Sequence, residues 1–175
     1  IAEPESSELM LKFFELTEGR LAYTQIQGES RSISVIDFGT LEVRPLIATG
    51  IGEENPEYSP DGRKIAYDAD MKGAKQIYVA DADGTNQKRL TNGPASNESP
   101  SWSPDGTKIL YQSTRQGGSD LVMMNADGSK PVVLIKNSNR NFTNKKKTRG
   151  DELLFASNAD WPCYDVFVQE KKKKK

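Results

Sequence analysis

The chain repeats its own sequence at an offset of 44 residues. Three short motifs recur at this spacing: Ser-Pro-Asp-Gly at 59–62 and 103–106, Tyr67 and Tyr111, and Asp-Gly at 83–84 and 127–128. A fixed period of this length is typical of repeat architectures, in which each unit buries its apolar faces by stacking on its neighbours. The 175 residues of the chain accommodate four such periods. The offset therefore predicts four similar units that share a continuous core.

The third repeat shows the clearest strand pattern. Four short runs, at 97–102, 107–113, 120–125 and 130–136, are separated by turn residues. In the turn after the first run, proline presets φ, aspartate accepts hydrogen bonds from nearby backbone amides, and Gly106 takes the left-handed conformation. No segment carries a helical apolar period long enough to compete with this pattern. Each repeat is therefore predicted to be a four-stranded antiparallel sheet, with its turn glycine at positive φ.

The predicted strands are apolar on both faces. Three consecutive apolar residues occupy the third strand of the later repeats, at 77–79, 121–123 and 166–168. A sheet with one solvated face would alternate more strictly, so both faces of each sheet are expected to be covered. The large aromatic residues recur at equivalent repeat positions, which assigns them to the core and not to a binding cage. These residues are Tyr58, Tyr67, Trp102, Tyr111 and Phe155.

Four-stranded repeats of about 40–45 residues are typical of β-propellers. The predicted fold is therefore all-β, either a β-propeller of four blades or a fragment of a larger propeller. We expect a single β-propeller domain over residues 1–170, followed by a lysine tail at 171–175. The approximate bounds of the four repeats are 9–49, 50–92, 93–136 and 137–170.

Two of the repeats resemble a known family. Tyr-Ser-Pro-Asp-Gly-Arg-Lys-Ile-Ala-Tyr at 58–67 and Trp-Ser-Pro-Asp-Gly-Thr-Lys-Ile-Leu-Tyr at 102–111 are similar to the WD-like repeat of TolB-type β-propellers. The resemblance is strong over residues 55–135 and weaker towards both ends of the chain. It implies a periplasmic or other extracellular setting, and rings of six or more blades where four are counted here. Because propellers of this kind serve unrelated functions, the motif specifies the repeat and not the activity.

Several kinds of catalytic and metal chemistry are excluded by residue counts. The chain has no histidine and one cysteine, Cys163. It therefore lacks the Ser-His-Asp triad, the Cys-His pair and the thiolate zinc site. The nucleophile-elbow and phosphate-loop motifs are also missing. Two acidic stretches, at 68–73 and 81–84, do not match the ligand spacing of a calcium loop. We expect no catalytic residue, no cofactor and no metal site.

Charge is distributed unevenly along the chain. The net charge is −1, and removing the five charges of the lysine tail leaves −6. No aromatic residues interleave with the tail lysines to stack on bases, so nucleic-acid binding is not expected. No apolar stretch approaches the roughly 18 residues of a transmembrane helix, so no membrane span is expected. An open arc of blades would expose apolar faces, so we expect either ring closure or self-association.

The topology divides the connections between two faces. In an up-and-down blade, the turns after the first and third strands share one face, and the other connections share the opposite face. The second group is expected to be longer and more variable, and loops on a rigid scaffold usually carry binding. We therefore predict that a protein or peptide partner binds this second face. Its candidate contacts are Glu54, Asp70, Asn97, Glu98, Arg115, Asn139, Arg140 and Trp161.

Glu54 and Glu98 lie one repeat apart, just before the innermost strands. They form either a two-carboxylate site for a cation or a basic side chain, or a pair of hydrated carboxylates at the channel mouth. An alternative to a partner-binding scaffold concerns the whole protein. In this alternative, the chain is the propeller part of a prolyl-oligopeptidase-type hydrolase and gates a separate catalytic domain. A following segment with a G-x-S-x-G motif would establish that alternative.

Overall fold

The computed structural model describes residues 19–70, 73–115 and 118–136, together with the backbone of 142–147, 152–157 and 165–170. The described residues form fourteen strands arranged in four antiparallel sheets. The all-β fold predicted from the repeat is confirmed, and the sheets are the blades. Within this part of the chain, no helix is long and apolar enough to cross a membrane.

Within each blade, neighbouring strands of the sheet are also neighbours along the chain. Blade 1 contains β1 (Arg20–Gln27), β2 (Ser30–Asp37) and β3 (Val43–Ile47). Blade 2 contains β4 (Glu53–Tyr58), β5 (Lys64–Asp70), β6 (Lys75–Asp81) and β7 (Lys88–Arg89). Blade 3 contains β8 (Ser96–Trp102), β9 (Lys108–Arg115), β10 (Gly118–Asn125) and β11 (Val132–Ile135). Blade 4 contains β12 (Phe142–Lys147), β13 (Glu152–Ser157) and β14 (Asp165–Glu170).

The start of repeat one, residues 9–18, lies outside the described residues. The same holds for the side chains of blade 4. Ring closure or self-association therefore stays a prediction.

The Ser-Pro-Asp-Gly turns explain where the strands reverse. In the turn between β4 and β5, the Asp61 carboxylate accepts hydrogen bonds from the Ser59 hydroxyl at 2.6 Å and the Arg63 amide at 3.1 Å. Gly62 donates its amide to the Ser59 carbonyl at 2.8 Å and has a φ of 69°. Gly106 repeats this arrangement between β8 and β9 with a φ of 68°. The predicted positive φ of both glycines is confirmed.

The two faces differ from the expectation in loop length. The end of the blades that carries the Ser-Pro-Asp-Gly turns is called the tight-turn face below, and the opposite end is called the loop face. Two residues separate β1 from β2 on the loop face, whereas five residues, 59–63, separate β4 from β5 on the tight-turn face. The expectation of longer loops on the loop face is therefore wrong for this hairpin, and for the two-residue connection between β9 and β10. Strand pairing continues to the loop-face end and leaves few residues for a loop.

The core lies between the blades. Ile33 and Ile47 of blade 1 pack with Ile65 and Tyr67 of blade 2, and Ala66 on the other face of β5 packs towards blade 3. All five residues from 65 to 69 are buried, so both faces of β5 are covered as predicted. The aromatic core is confirmed for Tyr67, Trp102 and Tyr111, whereas Tyr58 is half-buried. The side chain of Phe155 lies outside the described residues.

Gly106→Val is expected to lower the free energy of unfolding by about 1–3 kcal/mol, because a β-branched residue is strained at positive φ. A Cβ atom at Gly106 would lie 3.7 Å from the Pro60 ring, an ordinary contact, so the strain is conformational and not a clash. Urea denaturation of the wild type and the variant measures the difference. Equal midpoints would contradict the turn assignment.

Candidate functional site at the loop face

Three carboxylates from two blades surround one lysine on the loop face. Lys75 begins β6, and its ammonium nitrogen contacts Glu54 Oε2. The same nitrogen lies 3.4 Å from Asp68 Oδ1 and 3.8 Å from Glu98 Oε2. Glu54 and Asp68 are paired neighbours on β4 and β5, and Glu98 is the repeat equivalent of Glu54 on β8 in blade 3. The two glutamates singled out by the repeat are thus brought to one basic side chain.

A second cation extends the cluster into blade 1. Arg31 Nε lies 2.5 Å from Glu54 Oε1. Arg31 and Lys75 are 44 residues apart, so they occupy equivalent positions near the starts of β2 and β6. Each also contacts the glutamate near the start of the first strand in the next blade. The alternating series Arg31, Glu54, Lys75 and Glu98 is called the ion ladder below.

Asp68 anchors the base of this cluster. Its side chain is fully buried, and Oδ2 accepts hydrogen bonds from the Asn55 side-chain amide at 2.8 Å and the Ser99 backbone amide at 2.7 Å. Burial raises the pKa of the Asp68 carboxyl, and the Ser99 hydrogen bond and the Lys75 charge oppose that rise without cancelling it. Asp68 therefore ties blade 2 to the first strand of blade 3 at the cost of a buried carboxylate.

The Asp68 contact depends on a backbone bulge in β8, and β4 carries an equivalent bulge. The pairing of β8 with β9 shifts between Glu98 and Ser101, and Ser99 within the bulge has a φ of 53°. Asn55 takes the same φ in β4, and its backbone amide donates to the Thr24 hydroxyl at 3.1 Å. Bulges redirect backbone groups away from their own sheet. Here each bulge directs an amide to the preceding blade.

The charge state of Lys75 follows from its neighbours. Burial alone would lower the pKa of Lys75, but the Glu54 hydrogen bond and the charges of Asp68 and Glu54 outweigh burial, so the pKa lies above its usual value. Lys75 is therefore a cation at neutral pH. It occupies the space between the carboxylates where a bound cation would otherwise lie.

The structure separates the remaining predicted contacts. Asp70 ends β5 with an exposed side chain, and its Oδ1 accepts a hydrogen bond from the Gly73 amide at 2.7 Å. Asn97 is only 5% exposed, and its side-chain amide donates to Gln76 Oε1 at 3.1 Å and the Ala95 carbonyl at 3.2 Å. Asn97 is therefore placed in the interior, away from a partner. Arg115 ends β9, and three candidates lie outside the described residues: Asn139, Arg140 and Trp161.

The partners of the two glutamates, namely Arg31, Asp68 and Lys75, were not predicted from the sequence. A signal was present, because Arg31 precedes Glu54 by the same 23 residues that separate Lys75 from Glu98. Among the described residues, no group of three or more acidic or cysteine side chains is arranged to hold a metal ion. The chemistry that this arrangement supports is the recognition of charged or amide groups.

Residues 5–174 match the family described as the TolB beta propeller domain. The chain belongs to the TolB β-propeller domain family. It is similar to a putative TolB from Agrobacterium tumefaciens, with 23% identity and a TM-score of 0.64 over 68% of this chain and 47% of that one. It is also similar to TolB from Acinetobacter baumannii, with 21% identity and a TM-score of 0.69 over 87% of this chain and 38% of that one. This TolB-type domain thus spans less than half of either protein.

Propellers of peptidases share the fold as well. The β-propeller domain of the Trilobed protease from Pyrococcus furiosus is 16% identical, with a TM-score of 0.56 over 88% of this chain and 51% of that domain. Identities this low show a common fold and leave the activity of the whole protein open.

Proposed function

We propose that this TolB-type domain binds another protein through its loop face, with Glu98 as the main electrostatic contact. The proposal rests on the charge balance of the cluster. Arg31 and Lys75 supply two positive charges, and three carboxylates supply negative ones. One negative charge is therefore left for a basic or amide group of a partner, which gives specificity through charge complementarity.

The surplus charge lies at Glu98 because the ion ladder ends in blade 3. Glu54 contacts a cation from its own blade and another from the preceding blade. In blade 3, Ser119 stands at the repeat position of Lys75, so no cation occupies that position. Glu98 keeps the Lys75 contact at 3.8 Å and a hydrogen bond from the Gln112 amide at 3.4 Å, with its side chain 29% exposed. Of the three carboxylates, Glu98 combines weak pairing with access from solvent.

Two further features of the proposal follow the family resemblance. The domain acts as a non-enzymatic scaffold, and its setting is the periplasm or another extracellular compartment. The partner is a protein or peptide, since the described strand connections of this face form a surface for recognition and, within the part of the chain that the structure describes, show no paired acid and base for bond breaking.

Glu98→Gln is expected to weaken partner binding by about tenfold or more, because it removes a partly desolvated charge contact while keeping the shape of the side chain. The partner is first isolated by affinity capture with the wild-type domain, and dissociation constants are then measured by calorimetry. Glu42→Gln is the matched control, since Glu42 is an exposed glutamate between β2 and β3 on the tight-turn face. Equal losses in both variants, or none at Glu98, would contradict the assignment of the face.

The likeness to a protease propeller favours one alternative, in which the domain gates the catalytic domain of a larger hydrolase. Under this alternative, the full-length protein carries an α/β-hydrolase segment with a G-x-S-x-G nucleophile elbow. Sequencing the complete reading frame and assaying the full-length protein with peptide substrates tests it. An intact protein with neither the motif nor peptidase activity would overturn it.

A further inference from the structure

A groove of about 410 Å³ opens between blades 2 and 3 on the tight-turn face, opposite the ion ladder. Its volume falls within the range of roughly 300–1,000 Å³ that is typical of ligand sites. The groove lies between two successive Ser-Pro-Asp-Gly turns, which contribute Pro60 and Pro104 to its walls. It shares no lining residue with the loop-face cluster, so it is a separate site.

The floor of the groove is apolar. It is formed by Val79 of β6, Trp102 at the end of β8, and Ala126 just after β10. Trp102 is held in place by its indole N–H, which donates to the Glu57 carbonyl at 3.1 Å. This fixed floor suits an aliphatic stem or a small apolar side chain. The two proline rings extend the apolar surface up both walls.

The charges that line the groove are mainly negative. Asp61 and Asp105 both line the groove, one contributed by each of the two turns. The Ser59 hydrogen bond lowers the pKa of Asp61, and the Ser103 hydrogen bond lowers the pKa of Asp105 to about 2, so both are ionised at neutral pH. Lys64 also lines the groove, but its ammonium group is paired with Asp81 at 2.6 Å. Two negative charges therefore flank an apolar floor.

We infer that this groove binds a segment of a partner protein that presents one arginine or lysine side chain next to an apolar residue. The apolar residue and the aliphatic stem of the basic side chain cover the floor, and the cationic group lies between Asp61 and Asp105. Basic side chains combine an apolar stem with a charged end, which matches the distribution of apolar and acidic groups in the groove. The groove is independent of the partner proposed for the loop face.

The test uses two acetylated and amidated pentapeptides, Gly-Leu-Arg-Leu-Gly and Gly-Leu-Glu-Leu-Gly. Binding is followed through the indole N–H signal of Trp102 in protein labelled with ¹⁵N-tryptophan. The Trp161→Phe variant assigns the two indole signals. We expect the arginine peptide to shift the Trp102 signal saturably and the glutamate peptide to leave it in place. Added salt should weaken the binding of the arginine peptide, because exposed charges are screened.

Asp61→Asn combined with Asp105→Asn is expected to lower the affinity for the arginine peptide by about fivefold, because two exposed charge contacts are lost. Asparagine keeps an oxygen that accepts the turn hydrogen bonds, so the turns are retained. The control combines Asp83→Asn with Asp127→Asn, because these aspartates form similar turns outside the lining of the groove. Unchanged binding in the control supports the site. Equal binding in the two double variants, or equal shifts with both peptides, overturns it.

Discussion

Gly84→Ala is expected to lower the free energy of unfolding by about 4 kcal/mol, the sum of backbone strain and overpacking. Gly84 lies in the turn between β6 and β7 with a φ of 86°, and an added Cβ atom would lie 2.3 Å from the Leu46 backbone carbonyl oxygen of blade 1. Because that oxygen belongs to the main chain, it cannot move without separating the two blades. Chemical denaturation measures the loss.

Two glycines provide a graded control for this expectation. Gly73 has a φ of 89° with no atom within 4 Å of an added Cβ, so Gly73→Ala carries the conformational cost alone, about 1–2 kcal/mol. Gly128 is the repeat equivalent of Gly84, and its Cβ would lie 3.2 Å from Leu90, so its alanine variant should fall between the other two. A Gly84 loss no larger than the Gly73 loss would show that the blades are not in contact there.

Lys75→Met is expected to destabilise the protein by about 2–3 kcal/mol at neutral pH, because it leaves the buried Asp68 carboxylate without its cation. Breaking a fully buried ion pair costs about 3–5 kcal/mol, and the lysine is partly exposed, which reduces the cost. Lys136→Met is the matched control, since Lys136 is exposed at the end of blade 3 and should change the stability by less than about 0.5 kcal/mol. Equal stabilities of the two variants would contradict a structural role for the cluster.

The pH dependence of Lys75→Met has a defined sign. The pKa of Asp68 is raised in the folded state. At pH values between the pKa of Asp68 in the unfolded state and its pKa in the folded state, the folded protein therefore binds more protons than the unfolded one. Stability therefore rises as the pH falls through that window, because protonation removes the unpaired charge. The stability difference between Lys75→Met and the wild type should shrink on acidification. Adding Asp68→Asn to Lys75→Met should recover part of the loss at neutral pH.

The fold was predictable because the information that specifies it is local and repeated. The Ser-Pro-Asp-Gly sequence specifies a turn locally, and the 44-residue offset repeats this turn in blades 2 and 3. The strands of blade 3 were predicted to within two residues at either end, with the backbone bulge at Ser99 missed. Both faces of β5 were expected to be covered, since an apolar run on a central strand requires two neighbours.

The site was only partly predictable, because its contacts form between blades. The equivalence of Glu54 and Glu98 followed from the offset. Their shared contact with Lys75 depends on how far each blade is rotated relative to the next, and sequence spacing does not report that rotation. Asn97 shows the opposite error, since a polar residue near a strand end was taken for a surface contact and is instead bound to Gln76 in the interior.

The ion ladder gives the first three repeats a direction along the chain. Each of the first two repeats carries a cation that meets the next repeat, and the second and third carry a carboxylate that meets the previous one. Such a joint is heterologous, head to tail, and cannot be formed by two units related by a two-fold axis. Repeats joined in this way can follow one another in only one orientation. A second copy of residues 50–93 inserted after the first would meet matching charges at both joints, so the array is compatible with growth by tandem duplication.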